Sequence, residues 1–113
     1  MLTIEQLRQF GANVDEGLQR CMGNADLYLR LVNRFLEDNT FNQLKEAIQN
    51  NDLEKAFQCA HALKGVLANL SITPLHSIIF EMTDLLRNRV ERDYSDFINK
   101  YENLFSQLIS LSK

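Results

Sequence analysis

The chain has 113 residues, a formal net charge of −3, and hydrophobic and charged fractions of 45% and 24% that are ordinary for a globular domain. This length predicts one domain with a single modest core, and the acidic balance argues against a nucleic-acid-binding protein. No apolar run approaches the roughly 20 residues that span a bilayer, and the N-terminus lacks the basic and apolar segments of a signal peptide. We therefore expect a cytoplasmic protein without a nucleic-acid or membrane partner.

Two short helices are predicted before residue 23. Thr3 and Gln6 have the spacing of a capping box, and Gly11 is suited to end the first helix. The second short helix is predicted from about residue 14 to 22 and ends at Gly23. We expect this N-terminal region to cover one end of the molecule as a short helical cap.

Four longer amphipathic helices are predicted downstream, because apolar residues recur there at steps of three and four. Their approximate ranges are 24–49, 52–70, 74–89 and 93–111. The polar segment 37–42 predicts exposure or a bend in the first of them, and Thr73 and Pro74 suit the N-cap and first position of the third. Short connections between such helices predict an all-α fold, an antiparallel up-down four-helix bundle with a short N-terminal helical cap, spanning residues 1–113 as one domain.

The second long helix carries a histidine, His61, on the side opposite its apolar stripe. That stripe consists of Leu53, Ala56, Ala60, Leu63, Leu67 and Leu70. At about 100° per residue, His61 faces away from the core. Lys64 and Gly65 follow at three and four residues, so they lie one turn on, beside the imidazole. An exposed ring, a neighbouring ammonium and bare backbone favour a transient negative charge on the ring.

Gly65 is unusual because it lies in the interior of a predicted helix, where glycine costs about 0.5–1 kcal/mol relative to alanine. This cost suggests that another surface approaches the backbone closely, and the small side chains of Ala62 and Ala68 keep the neighbourhood low. Phe57 lies one turn before His61; we favour its packing against a neighbouring helix, with an exposed apolar anchor as the alternative. The periodicity alone leaves a solvated surface histidine and a nucleophile about equally supported.

At these residues the sequence resembles a known family. The run His61-Ala62-Leu63-Lys64-Gly65, followed by Ala68-Asn69-Leu70, is similar to the signature of histidine-containing phosphotransfer (HPt) domains. Upstream, residues 17–20, residues 23–28 and Phe35-Leu36 resemble the opening of the same domain, so that the likeness covers the chain from about residue 10 to its end. Ser71 departs from the pattern, since HPt domains usually have glycine at that position.

The resemblance implies that His61 accepts a phosphoryl group from a receiver-domain aspartate and passes it to another receiver. Lys64 would offset the charge that develops on the phosphoryl oxygens. The surface that meets the partner would consist of Phe57, Ala62, Gly65 and Ala68. The implied partners are receiver domains of response regulators or of a hybrid histidine kinase, and the receiver would supply Mg²⁺, so the chain would need no cofactor or metal of its own. We expect a monomer.

Two alternatives stay open beside this interpretation. One is a phosphoacceptor module served directly by a histidine kinase; such modules usually belong to longer chains, whereas Met1 before a capped helix suggests a complete chain. The other is a helical adaptor that binds and inhibits a receiver without being phosphorylated. We do not expect an enzyme, because the sequence contains neither a P-loop nor a kinase-type glycine-rich loop. His76 is interpreted as a partly exposed structural histidine, and no metal site is expected with His61.

Overall fold

The fold is entirely helical in the computed structural model, which describes residues 1–113. The helices are α1 (Ile4–Phe10), α2 (Val14–Arg20), α3 (Ala25–Phe35), α4 (Thr40–Gln49), α5 (Leu53–Leu70), α6 (Thr73–Arg87) and α7 (Ser95–Ser112). Their buried apolar side chains form one continuous cluster. None of the helices combines the length and the apolar character that crossing a membrane requires.

The N-terminal helices begin and end where local hydrogen bonding dictates. The predicted capping box is present, since the Thr3 side chain accepts from the Gln6 N–H and the Gln6 side chain accepts from the Thr3 N–H. Gly11 ends α1 in the left-handed conformation, with φ of 106°. Helix α1 contacts α2 and α7, and α2 contacts α3 and α5, so this region is packed against the longer helices.

The prediction of one continuous helix over residues 24–49 is wrong in the middle. Helix α3 ends at Phe35 and α4 begins at Thr40. The backbone tightens after Phe35 because the Asp38 N–H donates to the Phe35 carbonyl, three residues back, and the Thr40 hydroxyl then donates to the Asp38 carboxylate at 3.0 Å. Polar side chains that bond locally compete with the helix, which explains why the break falls in the segment where the sequence predicted a bend.

The other predicted boundaries differ from α5, α6 and α7 by one or two residues. The placement of the N-cap at Thr73 is wrong by one residue, because the His76 N–H already donates to the Ile72 carbonyl at 2.9 Å. Ile72 is therefore the N-cap of α6, and Pro74 is its second residue. Pro74 still fits, since the first-turn N–H groups of a helix have no partner within the helix.

Ser71 ends α5 in the left-handed conformation, with φ of 56°. Its N–H donates to the Ala68 carbonyl, and its hydroxyl donates to Glu16 at 2.9 Å. Glycine adopts this backbone conformation most easily, which gives a physical reason for the glycine that HPt domains usually have there. Serine fills the position in this chain with its hydroxyl bonded to α2, so the departure leaves the helix end intact.

Aromatic side chains connect α7 to α3 and α4. The rings of Phe41 and Tyr101 stack with centroids 4.0 Å apart, and Phe35 meets Phe105 edge-on at 6.1 Å. Helix α5 packs extensively against α4 and α6, and it also contacts α3. The neighbouring helices therefore cover one side of α5. The buried residues of α5 are those of the predicted stripe except Leu53, which is half-buried.

Candidate functional site

His61 lies on the exposed side of α5, as its position opposite the apolar stripe predicts. Its imidazole stacks beside the ring of Phe57, one turn earlier, with centroids 5.8 Å apart and an angle of 28° between the planes. Helical side chains lean toward the N-terminus of their helix, which brings the imidazole over this preceding turn. One face of the imidazole is therefore supported, while the ring remains open to solvent and to another protein.

Phe57 is half-buried and packs toward the C-terminal end of α6. Two guanidinium groups lie against its ring, that of Arg87 at 5.8 Å and that of Arg89 at 5.2 Å from the centroid. Both distances are within the range of cation–π contacts. The favoured interpretation of Phe57, packing against a neighbouring helix, agrees with this arrangement, and the packing brings two positive charges into the neighbourhood of His61.

Lys64 lies on the flank of α5 that faces α6, and it is half-buried. Its ammonium is 5.5 Å from the centroid of the Phe80 ring. None of the ion pairs in the structure includes Lys64. The Lys64 ammonium therefore lies against an aromatic face and has no carboxylate partner, and its residue is one helical turn from His61.

The backbone at Gly65 is open. A Cβ atom built at this position would meet no other atom within 4 Å, so neither packing nor backbone conformation within the chain requires glycine there. Ala62 is exposed and Ala68 is half-buried, and both side chains are small. On the side away from α6, the surface next to His61 therefore has no large side chains and is accessible to a partner.

Three further residues lie in this neighbourhood although they are outside the motif around His61: Phe80, Arg87 and Arg89. Phe80 is 54% exposed, which is high for an aromatic side chain. A signal for it existed, because Phe80 lies outside the apolar stripe of its own helix, on the polar face. The two arginines carried no comparable signal, since only the packing of α6 on α5 brings them to Phe57.

His76 lies on α6, is half-buried, and has its ring 5.8 Å from that of Phe80. Burial lowers its pKa below the usual value, the charge of Lys64 lowers it further, and Glu16 opposes the shift. This environment matches the predicted structural histidine. No group of three or more His, Cys, Asp or Glu side chains in the chain has the geometry to hold a metal ion.

Most of the chain matches the model of a known protein family. The family model of the Hpt domain matches residues 30–111, which includes all of α4 to α6 and the whole neighbourhood of His61. The match leaves out α1 and α2, so the likeness of residues 17–28 to the opening of the domain is not part of it. No curated protein and no solved structure matches the chain significantly.

The matched family has a well-defined role. Hpt domains are helical phosphocarrier modules, not kinases; they take part in histidine phosphotransfer in phosphorelays and interact with receiver domains. The family match covers most of the chain and contains an exposed histidine on a long helix, with a lysine one turn on and open backbone beside it. The chain therefore belongs to the Hpt domain family.

Proposed function

We propose that this protein is a phosphorelay carrier that accepts a phosphoryl group on His61 from a receiver-domain aspartate and donates it to another receiver. One observation supports this proposal above the others: His61 is an exposed imidazole within the matched family region, with an unpaired ammonium and open glycine backbone one turn away. A nucleophile that must be reached by a second protein needs this accessibility.

The proposed step is a transfer between two heteroatoms. A lone pair on one imidazole nitrogen forms the N–P bond, the bond between phosphorus and the aspartyl oxygen breaks, and its electron pair leaves with the carboxylate. The second ring nitrogen keeps its proton. Donation to the next receiver is the same step in reverse, with a carboxylate oxygen of that receiver as the nucleophile. The step uses the neutral form of the imidazole, because a doubly protonated ring has no free lone pair on nitrogen.

The residues around His61 have distinct proposed roles. Lys64 would offset the charge that spreads over the phosphoryl oxygens, because catalysis of such transfers rests mainly on positioning and electrostatics. Ala62, Gly65 and Ala68 would let the receiver's active-site loops approach, and Phe57 would support the imidazole from behind. The receiver's carboxylates would hold Mg²⁺, which would supply further positive charge to offset the developing negative charge.

We also propose that α3–α4, α5, α6 and α7 form an antiparallel up-down bundle, with α1 and α2 as a cap over one end. The contact of Lys64 with Phe80 and that of Phe57 with Arg87 support this arrangement. Phe57 lies seven residues before Lys64 on α5, whereas Arg87 lies seven residues after Phe80 on α6, as expected for antiparallel helices. Such a bundle would hold His61 on a rigid helix face. A monomeric state and a cytoplasmic location remain predictions from the sequence.

A phosphotransfer assay tests the function. The chain contains two histidines, so His61→Gln and His76→Gln are a matched pair of variants. Each protein is mixed with a phosphorylated receiver and Mg²⁺, and the label is then treated with acid and with base. We expect acid-labile, base-stable phosphate on the wild type and on His76→Gln, and none on His61→Gln. A receiver that binds all three proteins without labelling any would instead support the inhibitory adaptor. Labelling by a histidine kinase alone would support the kinase-served module.

A further inference from the structure

We propose that Phe80 is a positioning residue for phosphotransfer: its ring holds the Lys64 ammonium as an unneutralised charge beside His61. This inference rests on the proposed function of His61 and assigns a role to a residue of α6. Phe80 would touch neither the phosphoryl group nor the imidazole of His61, and it would act only through Lys64.

The exposure of Phe80 is the first observation behind this proposal. The side chain is 54% exposed, while its neighbours on the apolar stripe of α6, Ile79 and Met82, are completely buried. Its ring therefore contributes little to the core. The ring has one cation–π contact, with Lys64 across the helix interface, and one aromatic contact, with His76 one turn back on α6.

An aromatic partner, unlike a carboxylate, leaves the Lys64 ammonium able to bind an anion. Lysine has three N–H donors and no acceptor, and a carboxylate partner would occupy some of these donors and cancel the charge. An aromatic face attracts the ammonium through its quadrupole but leaves the charge and the N–H donors available. Lys45, by contrast, is paired with Glu102 at 2.9 Å on another part of the surface. Lys64 is thus held in place and remains ready for an anion.

The restraint matters because lysine is a flexible side chain. Free in solvent, its ammonium would be distributed over many rotamers, and ordering it in the transition state would cost conformational entropy. The half-buried stem of Lys64 and the ring under its ammonium remove part of that freedom beforehand. A helical side chain also leans toward the N-terminus of its helix, which for Lys64 is the direction of the turn that carries His61.

His76 lies beside the same aromatic ring. Its ring lies 5.8 Å from that of Phe80, with 43° between the planes. Because its pKa is lowered, by burial first and by Lys64 second, the imidazole is mainly neutral at neutral pH. A neutral His76 does not repel the ammonium that Phe80 holds.

Single-turnover kinetics separate a positioning role from a docking role. In single-turnover transfer from a phosphorylated receiver, we expect Phe80→Leu to lower the rate constant at saturating receiver roughly two- to fivefold, the range that an exposed cation–π contact corresponds to. The receiver concentration that gives half the maximal rate should stay unchanged, and Phe80→Tyr, which keeps the ring, should transfer like the wild type. A changed half-saturating concentration with an unchanged maximal rate would make Phe80 a docking anchor and overturn the proposal.

A double-mutant cycle tests whether Phe80 acts through Lys64. In the Lys64→Met background, Phe80→Leu should have no further effect on the rate constant. An undiminished effect in that background, or faster transfer by Phe80→Leu in the wild-type background, would overturn the proposal, since the latter would mean that the ring withholds the ammonium.

NMR of the unphosphorylated protein keeps this inference separate from the proposed function. The ε-methylene protons of Lys64 should show a ring-current shift that is lost in Phe80→Leu and kept in Phe80→Tyr, and no phosphotransfer is needed to see it. Absence of the shift in the wild type would overturn the positioning role alone. If the shift is present and His61 takes no label, the proposed function fails, and Phe80 then positions Lys64 without a role in phosphotransfer.

Discussion

Loss of the Lys64 side chain should affect the rate of phosphotransfer more than the stability of the fold. We expect Lys64→Ala to slow transfer to His61 roughly tenfold, which corresponds to about 1.4 kcal/mol of lost charge stabilisation. Its free energy of unfolding should change by less than about 1 kcal/mol, because the side chain is only half-buried and makes no ion pair. Rapid-quench transfer and urea denaturation measure the two quantities.

Lys100 provides the control for this variant, because it is an exposed lysine on α7, a helix that carries none of the proposed site residues. Lys100→Ala should transfer at the wild-type rate. A Lys64→Ala protein that is fully folded and transfers as fast as the wild type would show that the phosphoryl charge is stabilised by the partner alone.

Gly65 is open on the side where a partner would approach, and two substitutions separate its stability from its contacts. Gly65→Ala should raise the free energy of unfolding by about 0.5–1 kcal/mol, since the added Cβ meets nothing within 4 Å. Gly65→Trp should weaken receiver binding at least tenfold while leaving the protein folded, because a large side chain would occupy the approach to His61. Titration calorimetry with a receiver measures the binding, and unchanged affinity in Gly65→Trp would rule out close approach at this position.

The site was predictable from sequence only as far as it lies on one helix. His61, Lys64 and Gly65 follow from helical spacing, because residues three and four apart are neighbours on any helix. The other side chains near His61 belong to α6, as Phe80 and Arg87 do, or follow it, as Arg89 does. Their positions depend on how α5 and α6 pack together. The pattern along a single chain does not contain that register, although an exposed phenylalanine on the polar face of α6 was a visible anomaly.

Among the helices, the division between α3 and α4 brings apolar residues of both segments to the core. Val32 and Leu44 lie on either side of the division and are both buried, although in one straight helix they would lie about 120° apart. The turn between them is set by the bonds of Asp38 and Thr40, which the apolar pattern does not report. The sequence indicated a bend through its polar composition but could not distinguish a bent helix from two helices.

Gly17 is required by the packing of α2 on α3. A Cβ at Gly17 would lie 2.4 Å from the ring of Tyr28. That ring cannot shift easily, because it is buried and its hydroxyl donates to the Leu70 carbonyl at 2.8 Å, at the end of α5. We expect Gly17→Ala to lower the free energy of unfolding by about 1–3 kcal/mol, as overpacking does in a dense interior.

The matched control for this prediction is Gly65→Ala, the same substitution on an open helix face, which should have the opposite sign. Urea denaturation of both variants measures the difference. A Gly17→Ala protein at least as stable as the wild type would show that α2 can move away from Tyr28 without loss.

At the scale of the whole molecule, buried tyrosines make stability depend on pH in the alkaline range. Burial raises the pKa of Tyr28 to about 12 from a usual value of 10.0, and it also raises the pKa values of Tyr94 and Tyr101. The unfolded chain releases these phenolic protons first, so stability is fully present below pH 10 and is lost as pH rises through the folded pKa values. For Tyr28 alone the loss is about 1 kcal/mol by pH 11.

Urea denaturation at pH 8, 10 and 11 tests this dependence. Tyr28→Phe should be less stable than the wild type at pH 8, since it loses the bond to Leu70, but its stability should fall less steeply with pH. Equal slopes for the two proteins would mean that Tyr28 titrates normally in the folded state.

The helical class of the whole molecule was predictable because helical periodicity persists along the chain and glycine and proline are few, four and one. The contacts between helices were not, since they depend on pairs such as Phe41 with Tyr101 and Phe35 with Phe105 that are distant in sequence. The family match identifies the type of domain, whereas its partners depend on surface residues outside any short motif.

A chase experiment tests whether His61 carries a phosphoryl group from one receiver to another. Wild-type protein is labelled by one phosphorylated receiver, purified, and mixed with a second, unphosphorylated receiver and Mg²⁺. We expect the label to leave His61 and to appear on the second receiver as an acyl phosphate that base hydrolyses, with His61→Gln carrying no label into the chase. Label that forms on His61→Gln as well, or that returns to no receiver, would contradict the claim.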